Sequence, residues 1–451
     1  MKEEKKYISL ILIHIVLGFA LFVIEPIAKL YFIIALVYFT LQIILVPKKE
    51  KVQAVLYASA YFVGAEVLFR MTKGGLAYEA SKYLVIVFVI MGMFYKGLSG
   101  KGYPYFIYLI LLVPAIVVAS VTLTLDANFR TNIAFVLSGP VCLGAAALFC
   151  YDRKVSYQQI HNVLIYMMLP LISTTVYLFL YNPSIKDTLS GTASNAATSG
   201  GFGPNQVSTI LGLGMFIMVV RLFVKSPNLA LKLLNLTILG GMTFRAIVTF
   251  SRGGIFAAVI VVAAFLWSLF FKSSLRQKNQ IIGSLVLLIM AISVTWVISS
   301  NQTMGLIDKR YANEDALGRE KGDITTGRVT LFVEEIEGFL NSPFLGIGAS
   351  RVKNARVEKG VGHLPSHNEV GRLLSEHGFF GVIILLILII TPLAYRGRNK
   401  KNIFFYAFLC FWFATINHSG LRIAAPSFIY GLSLLHVTNE TRSVHRQQLT
   451  K

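Results

Sequence analysis

The feature that most constrains this chain is a recurrence of apolar runs close to the length of a bilayer crossing, about fourteen of them, separated mostly by short polar connections. Inside hydrocarbon every backbone N–H and C=O must be satisfied within the protein, so runs of this kind fold as helices. They begin near Tyr7, Ile27, Gln53, Tyr78, Pro104, Thr131, Val163, Val207, Leu229, Gly254, Ile281, Phe379, Asn402 and Leu421. The expected fold class is therefore all-α: a polytopic integral membrane protein with about 12–14 transmembrane helices. With 55% hydrophobic and 14% charged residues, the chain is not an ordinary soluble domain. Met1 to Lys6 followed by an apolar run resembles a signal peptide, but Glu25-Pro26 interrupts and no small-residue cleavage site precedes the next run. It reads as a retained first helix.

The net charge of +21 does not point to nucleic acid, because no basic patch interleaved with aromatics is present. Lys and Arg recur instead in short clusters between runs: Lys48/Lys49/Lys51, Lys96/Lys101, Arg153/Lys154, Lys225, Lys272/Arg276/Lys278 and Arg396/Arg398/Lys400/Lys401. With the N-terminus inside, all of them fall on the cytoplasmic side, as does the basic C-terminal tail. Two long connections, Asn182 to Gln206 and Ser300 to His377, then face outward, where a structured loop usually carries function. The expected organisation is N-terminal helices over 1–162, helices with a Gly-rich outer loop over 163–299, an outer loop domain over 300–377, and C-terminal helices with a basic tail over 378–451. Cys142, Cys150 and Cys410 lie in apolar runs, which argues against a disulfide framework or a thiolate metal site. Glu66, Arg70, Glu79 and Lys82 near outer span ends read as snorkelling or paired side chains.

Within the second long loop, Val329, Phe332, Val333, Ile336 and Leu340 form one helical stripe opposite Glu334, Glu335 and Glu337. This predicts an amphipathic helix after Arg328, lying along the membrane surface. Asn341-Ser342-Pro343 stops it, and Gly346 and Gly348 mark a tight turn. Ser366 and Glu369 read as an S-x-x-E capping box for a second helix, with His367 in its first turn. The positive end of a helix disfavours imidazolium, so His367 is expected to be neutral and able to accept a proton; the plainer alternative is an interfacial histidine that only caps. His363, four residues earlier, is separated from it by Leu364-Pro365-Ser366, so no metal site is expected.

Ser251-Arg252-Gly253-Gly254 joins two runs on the outer side, placing an arginine and glycines at a helix N-terminus, which is a phosphate site in outline. Arg245 lies seven residues earlier on nearly the same helical face, roughly 10 Å deeper, either at the site or snorkelling to the interface. Gly201-Phe202-Gly203-Pro204-Asn205-Gln206 precedes another outward helix start and is either a linker or a loop shaped around substrate.

Taken in order, Gly201 to Gln206, Ser251 to Gly254, Thr326-Gly327-Arg328, Asn341-Ser342-Pro343-Phe344-Leu345-Gly346-Ile347-Gly348, and Ser366-His367-Asn368-Glu369 with Glu376-His377-Gly378-Phe379-Phe380-Gly381 resemble the O-antigen ligase family of polytopic glycan ligases and polymerases. The resemblance spans roughly 200–393. It departs where the helix after Arg328 reads Val-Thr-Leu-Phe, since many relatives carry a tryptophan there. What it implies is a GT-C-like glycosyltransferase of a bacterial inner membrane. Such an enzyme transfers a glycan from undecaprenyl diphosphate to an acceptor hydroxyl, on lipid A core or similar, without a metal ion or cofactor. By the same resemblance His367 is the general base, and Arg252 and Arg328 engage the diphosphate; Arg245, Asn205, Gln206 and Asn368 are further candidates for substrate binding. The expected partners are the lipid-linked donor, a glycan or lipid acceptor, and membrane lipids. A polymerase extending lipid-linked repeats is the near alternative. A flippase or other transporter is the alternative from a different class, although inverted repeats and a charged midplane cluster are missing from the sequence.

Overall fold

The computed structural model describes residues 2–123, 128–182, 184–189, 191–323, 325, 327–358, 360 and 366–438. In chain order its helices are α1 (Lys2–Val23), α2 (Ile27–Leu45), α3 (Lys51–Met71), α4 (Ala80–Lys96), α5 (Tyr103–Leu111), α6 (Val113–Thr122), α7 (Phe129–Cys150), α8 (Tyr157–Tyr181), α9 (Pro204–Val224), α10 (Leu229–Ile247), α11 (Arg252–Lys272) and α12 (Leu275–Gln302). A loop domain follows with α13 (Leu306–Tyr311), α14 (Arg328–Asn341), α15 (Arg351–Glu358) and α16 (Glu369–His377). The chain then re-enters the bundle as α17 (Phe379–Arg396), α18 (Phe405–Ile416) and α19 (Ala424–Ser433). The short strands β1 (Lys154–Ser156) and β2 (His436–Thr438) pair in parallel. The protein is an all-α polytopic membrane protein.

Among the described residues eleven helices are long and apolar enough to cross a membrane, with α5 and α6 counted as one 23-residue stretch broken at its middle. Pro114 causes that break, because it offers no N–H to the carbonyl four residues back. At 17 residues α4 falls just below that length. Helices α3 and α9 form the centre, buried along nearly their whole length, while α1, α2, α12 and α17 present apolar side chains outward. The basic connections collect on one face: Lys225 Nζ donates to Gln158 Oε1 at 2.7 Å, Arg153 Nη2 to the Gly97 carbonyl at 2.5 Å, and Lys272 to the Lys400 carbonyl. The loop domain occupies the other.

The last two expected spans are corrected by the structure. The runs beginning near Asn402 and Leu421 are half-length helices, α18 of 12 residues and α19 of 10, rising only about 18 and 15 Å. A crossing needs roughly 30 Å, so the turn between them, 417–423, ends inside the bundle. Charged side chains from α3 and the start of α4 hold it there. Glu66 Oε2 accepts the Ala424 N–H at 2.6 Å, and Arg70 donates to the Arg422 carbonyl at 3.1 Å, to Glu66 at 2.5 Å and to Glu79 at 3.3 Å. Lys82 completes the cluster on Glu79 at 2.5 Å. Two acids and two bases neutralise one another, which is how charges persist in an apolar interior.

In the loop domain α14 turns its acidic side inward. Glu335 is buried against Arg356 at 3.4 Å, and Glu334 meets the same guanidinium at 3.0 Å, while Val329, Val333 and Leu340 stay exposed. An apolar stripe facing out of a membrane protein suits the bilayer surface. Gly346 and Gly348 both adopt left-handed backbone, and between them Ile347 N–H reaches the Ser375 carbonyl at 2.9 Å.

Candidate functional site

The first residues of four helices line one cleft of about 520 Å³ on the loop face. Asn205 opens α9 beside Pro204, Arg252 is the first residue of α11, Arg328 is the first of α14, and Asn368 caps α16. Each helix start leaves backbone N–H groups unpaired and carries a partial positive charge, so their convergence favours an anion. Arg310, from the last turn of α13, adds a third guanidinium to those of Arg252 and Arg328. Among the described residues no carboxylate lines this cleft.

Each guanidinium makes a contact to a neutral group. Arg252 Nη1 donates to the Arg310 carbonyl at 3.4 Å, Arg310 Nε to the Phe250 carbonyl at 3.2 Å, and Arg328 Nη1 to His418 Nδ1 at 3.3 Å. Burial, followed by the nearby positive charge of Arg252, lowers the pKa of both Arg310 and Arg328. Clustered cations that depress one another are unfavourable until an anion joins them. Phe256 and Tyr311 give the cleft an aromatic wall where α11 meets α13.

His367 adjoins Asn368 in the chain but does not itself line the cleft; the charge of the cleft's Arg328 acts on it. Its position relative to α16 corrects the capping-box expectation: Asn368 is the N-cap, with Oδ1 accepting Val370 N–H at 2.8 Å and Gly371 N–H at 3.2 Å. Glu369 cannot reach back as a box requires, because Arg372 claims its carboxylate. His367 therefore precedes the helix rather than lying in its first turn, and the helix dipole is not what keeps it neutral. Burial is the first cause, then the charges of Arg422 and Arg328; together they push the imidazole down to about 4 against the opposing pull of the His418 carbonyl. Nδ1 is buried and has no partner among the described residues. In the tautomer that carries its proton on Nε2, Nδ1 offers the lone pair that a general base requires.

Of the other expected residues, Gln206 and Arg245 lie outside the cleft. Gln206 Oε1 accepts Arg70 Nη1 at 3.1 Å in the buried charge cluster. Arg245 does not line the cleft; it donates to the carbonyls of Asn182 at 3.3 Å and Thr198 at 3.2 Å. Asn205 lines the cleft while its Oδ1 accepts the Ser251 hydroxyl at 2.8 Å. His363 and Thr326 are outside the described residues.

The glycines after Arg252 act differently from the sequence expectation that they admit ligand. A Cβ on Gly253 would lie 2.1 Å from His418 Nδ1, and one on Gly254 would lie 2.1 Å from the Ser208 hydroxyl. They let the His418 ring and α9 pack against α11. Gly253→Ala is accordingly expected to drive the His418 ring off Arg328, with a stability loss of about 1–3 kcal/mol from overpacking, read by thermal unfolding in detergent. An unchanged melting profile would contradict this packing.

His418 and Arg422 were not singled out by the sequence, although both abut His367. The signal was present in two apolar runs too short to span, flanking Asn417-His418-Ser419-Gly420-Leu421-Arg422. Arg310 carried no local signal.

Fold and cleft together define a polytopic membrane protein with a cationic cleft on its loop face. Residues 234–386 match the family model described as O-Antigen ligase, so this segment is similar to that family. The segment contains Arg245, Arg252, Arg310, Arg328 and His367, and the match supports membrane glycan processing of the ligase or polymerase type. A search of curated proteins found no match to the chain.

Proposed function

We propose that this protein is a glycosyltransferase of the O-antigen ligase type, moving a glycan from undecaprenyl diphosphate to an acceptor hydroxyl on the outer face of a bacterial inner membrane. The observation that carries the reading is the convergence of four helix N-termini and three guanidiniums on a cleft that no carboxylate lines among the described residues, near a histidine with an unpartnered ring nitrogen. In the reaction the acceptor oxygen attacks the anomeric carbon and its proton passes to His367 Nδ1. The bond from that carbon to the diphosphate breaks, with its electron pair leaving on the phosphate oxygen. Negative charge grows on the leaving group, where Arg252, Arg328 and Arg310 stabilise it. A single displacement inverts the anomeric centre. Lipid A core as acceptor makes the protein a ligase; a second lipid-linked repeat makes it a polymerase.

The test is transfer by purified protein supplied with a lipid-linked donor and candidate acceptors, with chelator present. Glycan transfer with release of lipid diphosphate supports the reading, while transbilayer movement of donor without transfer would favour a flippase.

His418 is assigned as a positioning residue: its ring Nδ1 accepts from Arg328 Nη1 and aims that guanidinium. His418→Asn, whose Oδ1 can stand in for Nδ1, is expected to keep most activity. His418→Phe should lose about 100-fold in kcat/KM, the scale of a misplacement of about 1 Å. Equal activity in the two variants would remove this assignment.

Because neutral imidazole is the base, the rate falls only as His367 gains a proton. The acid limb of kcat/KM against pH is expected near 4, well below the ordinary histidine value of about 6.5. Arg422→Gln removes one of the charges that depress it, so the limb should move up towards that value. A limb already near 6.5 in the parent protein and unmoved in the variant would refute the electrostatic assignment.

A further inference from the structure

A second pocket, of about 400 Å³, lies between α8, α10 and α12 and shares no lining residue with the cleft. It occupies the half of these helices nearest the loop face. Its floor is Gly240-Gly241, its sides include Phe179, Phe244 and Ile298, and Arg245 stands in its lining. The two glycines are not demanded by packing. A Cβ on Gly240 would meet only Thr295 Oγ1 at 3.6 Å, and one on Gly241 would come no nearer than 3.6 Å to Phe179, both ordinary contact distances. Glycine inside a helix costs about 1 kcal/mol relative to alanine, so what the pair provides is open space along α10. The hydroxyls of Thr237 and Thr295, also in the lining, donate back to Leu233 and Ala291 carbonyls, which keeps their polar atoms engaged in their own helices.

Arg245, like Arg221 and Arg310, is buried with no carboxylate partner among the described residues, whereas three other buried arginines have one. Arg70 faces Glu66 and Glu79, Arg356 faces Glu334 and Glu335, and Arg372 faces Glu369 and Glu376. Arg245 is 1% exposed, yet it has only two carbonyl contacts longer than 3 Å, no paired carboxylate among the described residues, and an Nε without a partner. A full positive charge without a counterion in an apolar wall is costly.

We infer that this groove binds a lipid phosphate, with the anionic head on Arg245 and one hydrocarbon chain over Gly240-Gly241 alongside the stacked rings of Phe179 and Phe244. The phosphate supplies the missing counterion, and the chain fills space that the glycines leave open. This site is separate from the donor cleft and does not depend on the transferase reading. The ligand's source is a bilayer phospholipid or an isoprenoid phosphate, which share head and chain chemistry.

The full-length protein, equilibrated with equal amounts of phosphatidylglycerol, phosphatidylethanolamine and undecaprenyl phosphate, is to be released for native mass spectrometry. One anionic lipid should be retained in preference to phosphatidylethanolamine; which of the two it is assigns the source. Gly241→Leu fills the groove without touching the cation, and Arg245→Gln removes the charge while keeping an amide for the carbonyls. Each should cut retention about ten-fold, and Arg245→Lys should largely restore it. Thermal melts in detergent verify folding, and added anionic lipid should raise the melting temperature of the parent protein alone. Retention without preference for an anionic head, or retention unchanged in both folded variants, overturns the site.

Discussion

Replacing His367 by alanine is expected to lower the turnover number by about 10²–10⁴-fold, the range contributed by a positioned general base. His367 precedes the N-cap of α16, and the Asn368 cap bonds do not involve its side chain, so the variant should fold. Its effect should fall on kcat, because the imidazole acts on the acceptor proton and not on the donor diphosphate. Donor affinity measured by titration should stay within a few-fold of the parent. Turnover that survives His367→Ala would remove the base from this account, and a matching loss of donor affinity would recast the residue as a binding group.

Arg252→Ala and Arg328→Ala should each cost about 10²–10³-fold in kcat, the scale of removing one donor to a developing oxyanion. Lysine is a poor substitute at either place, since it keeps the charge and loses the planar fork that grips two oxygens. Both guanidiniums line one cleft, so their losses should not add. The double variant is expected to fall short of the product of the single effects, which a double-mutant cycle reads directly. Independent, multiplying losses would place the two arginines on separate ligands.

How much of this was legible in the residues depends on how local each cause is. Arg252, Arg328, Asn205 and Asn368 sit at helix starts marked by glycine, proline or a capping side chain, and these local signals are where the structure brings them together. Arg310 and His418 reach Arg252 and Arg328 across 58 and 90 residues of chain, and only tertiary packing brings them there. The 417–423 turn was concealed because hydropathy registers that a run is apolar more readily than that it is too short. Arg245 was placed beside Arg252 by extending one helical face across both. The helix ends at Ile247, and Phe250 takes left-handed backbone at φ 57°, which turns the two side chains towards different pockets. At α16, Ser366 and Asn368 are both good caps; the competition of Arg372 for Glu369 decides between them.

The central claim is that a single lipid diphosphate meets Arg252, Arg310 and Arg328 beside His367. Electron cryomicroscopy of the protein in nanodiscs with a bound lipid diphosphate tests it most directly. The phosphates are expected in the cleft among these three guanidiniums, with the anomeric position directed towards His367 Nδ1. Phosphate density on the face of the basic connections, or in a pocket out of reach of His367, would contradict it.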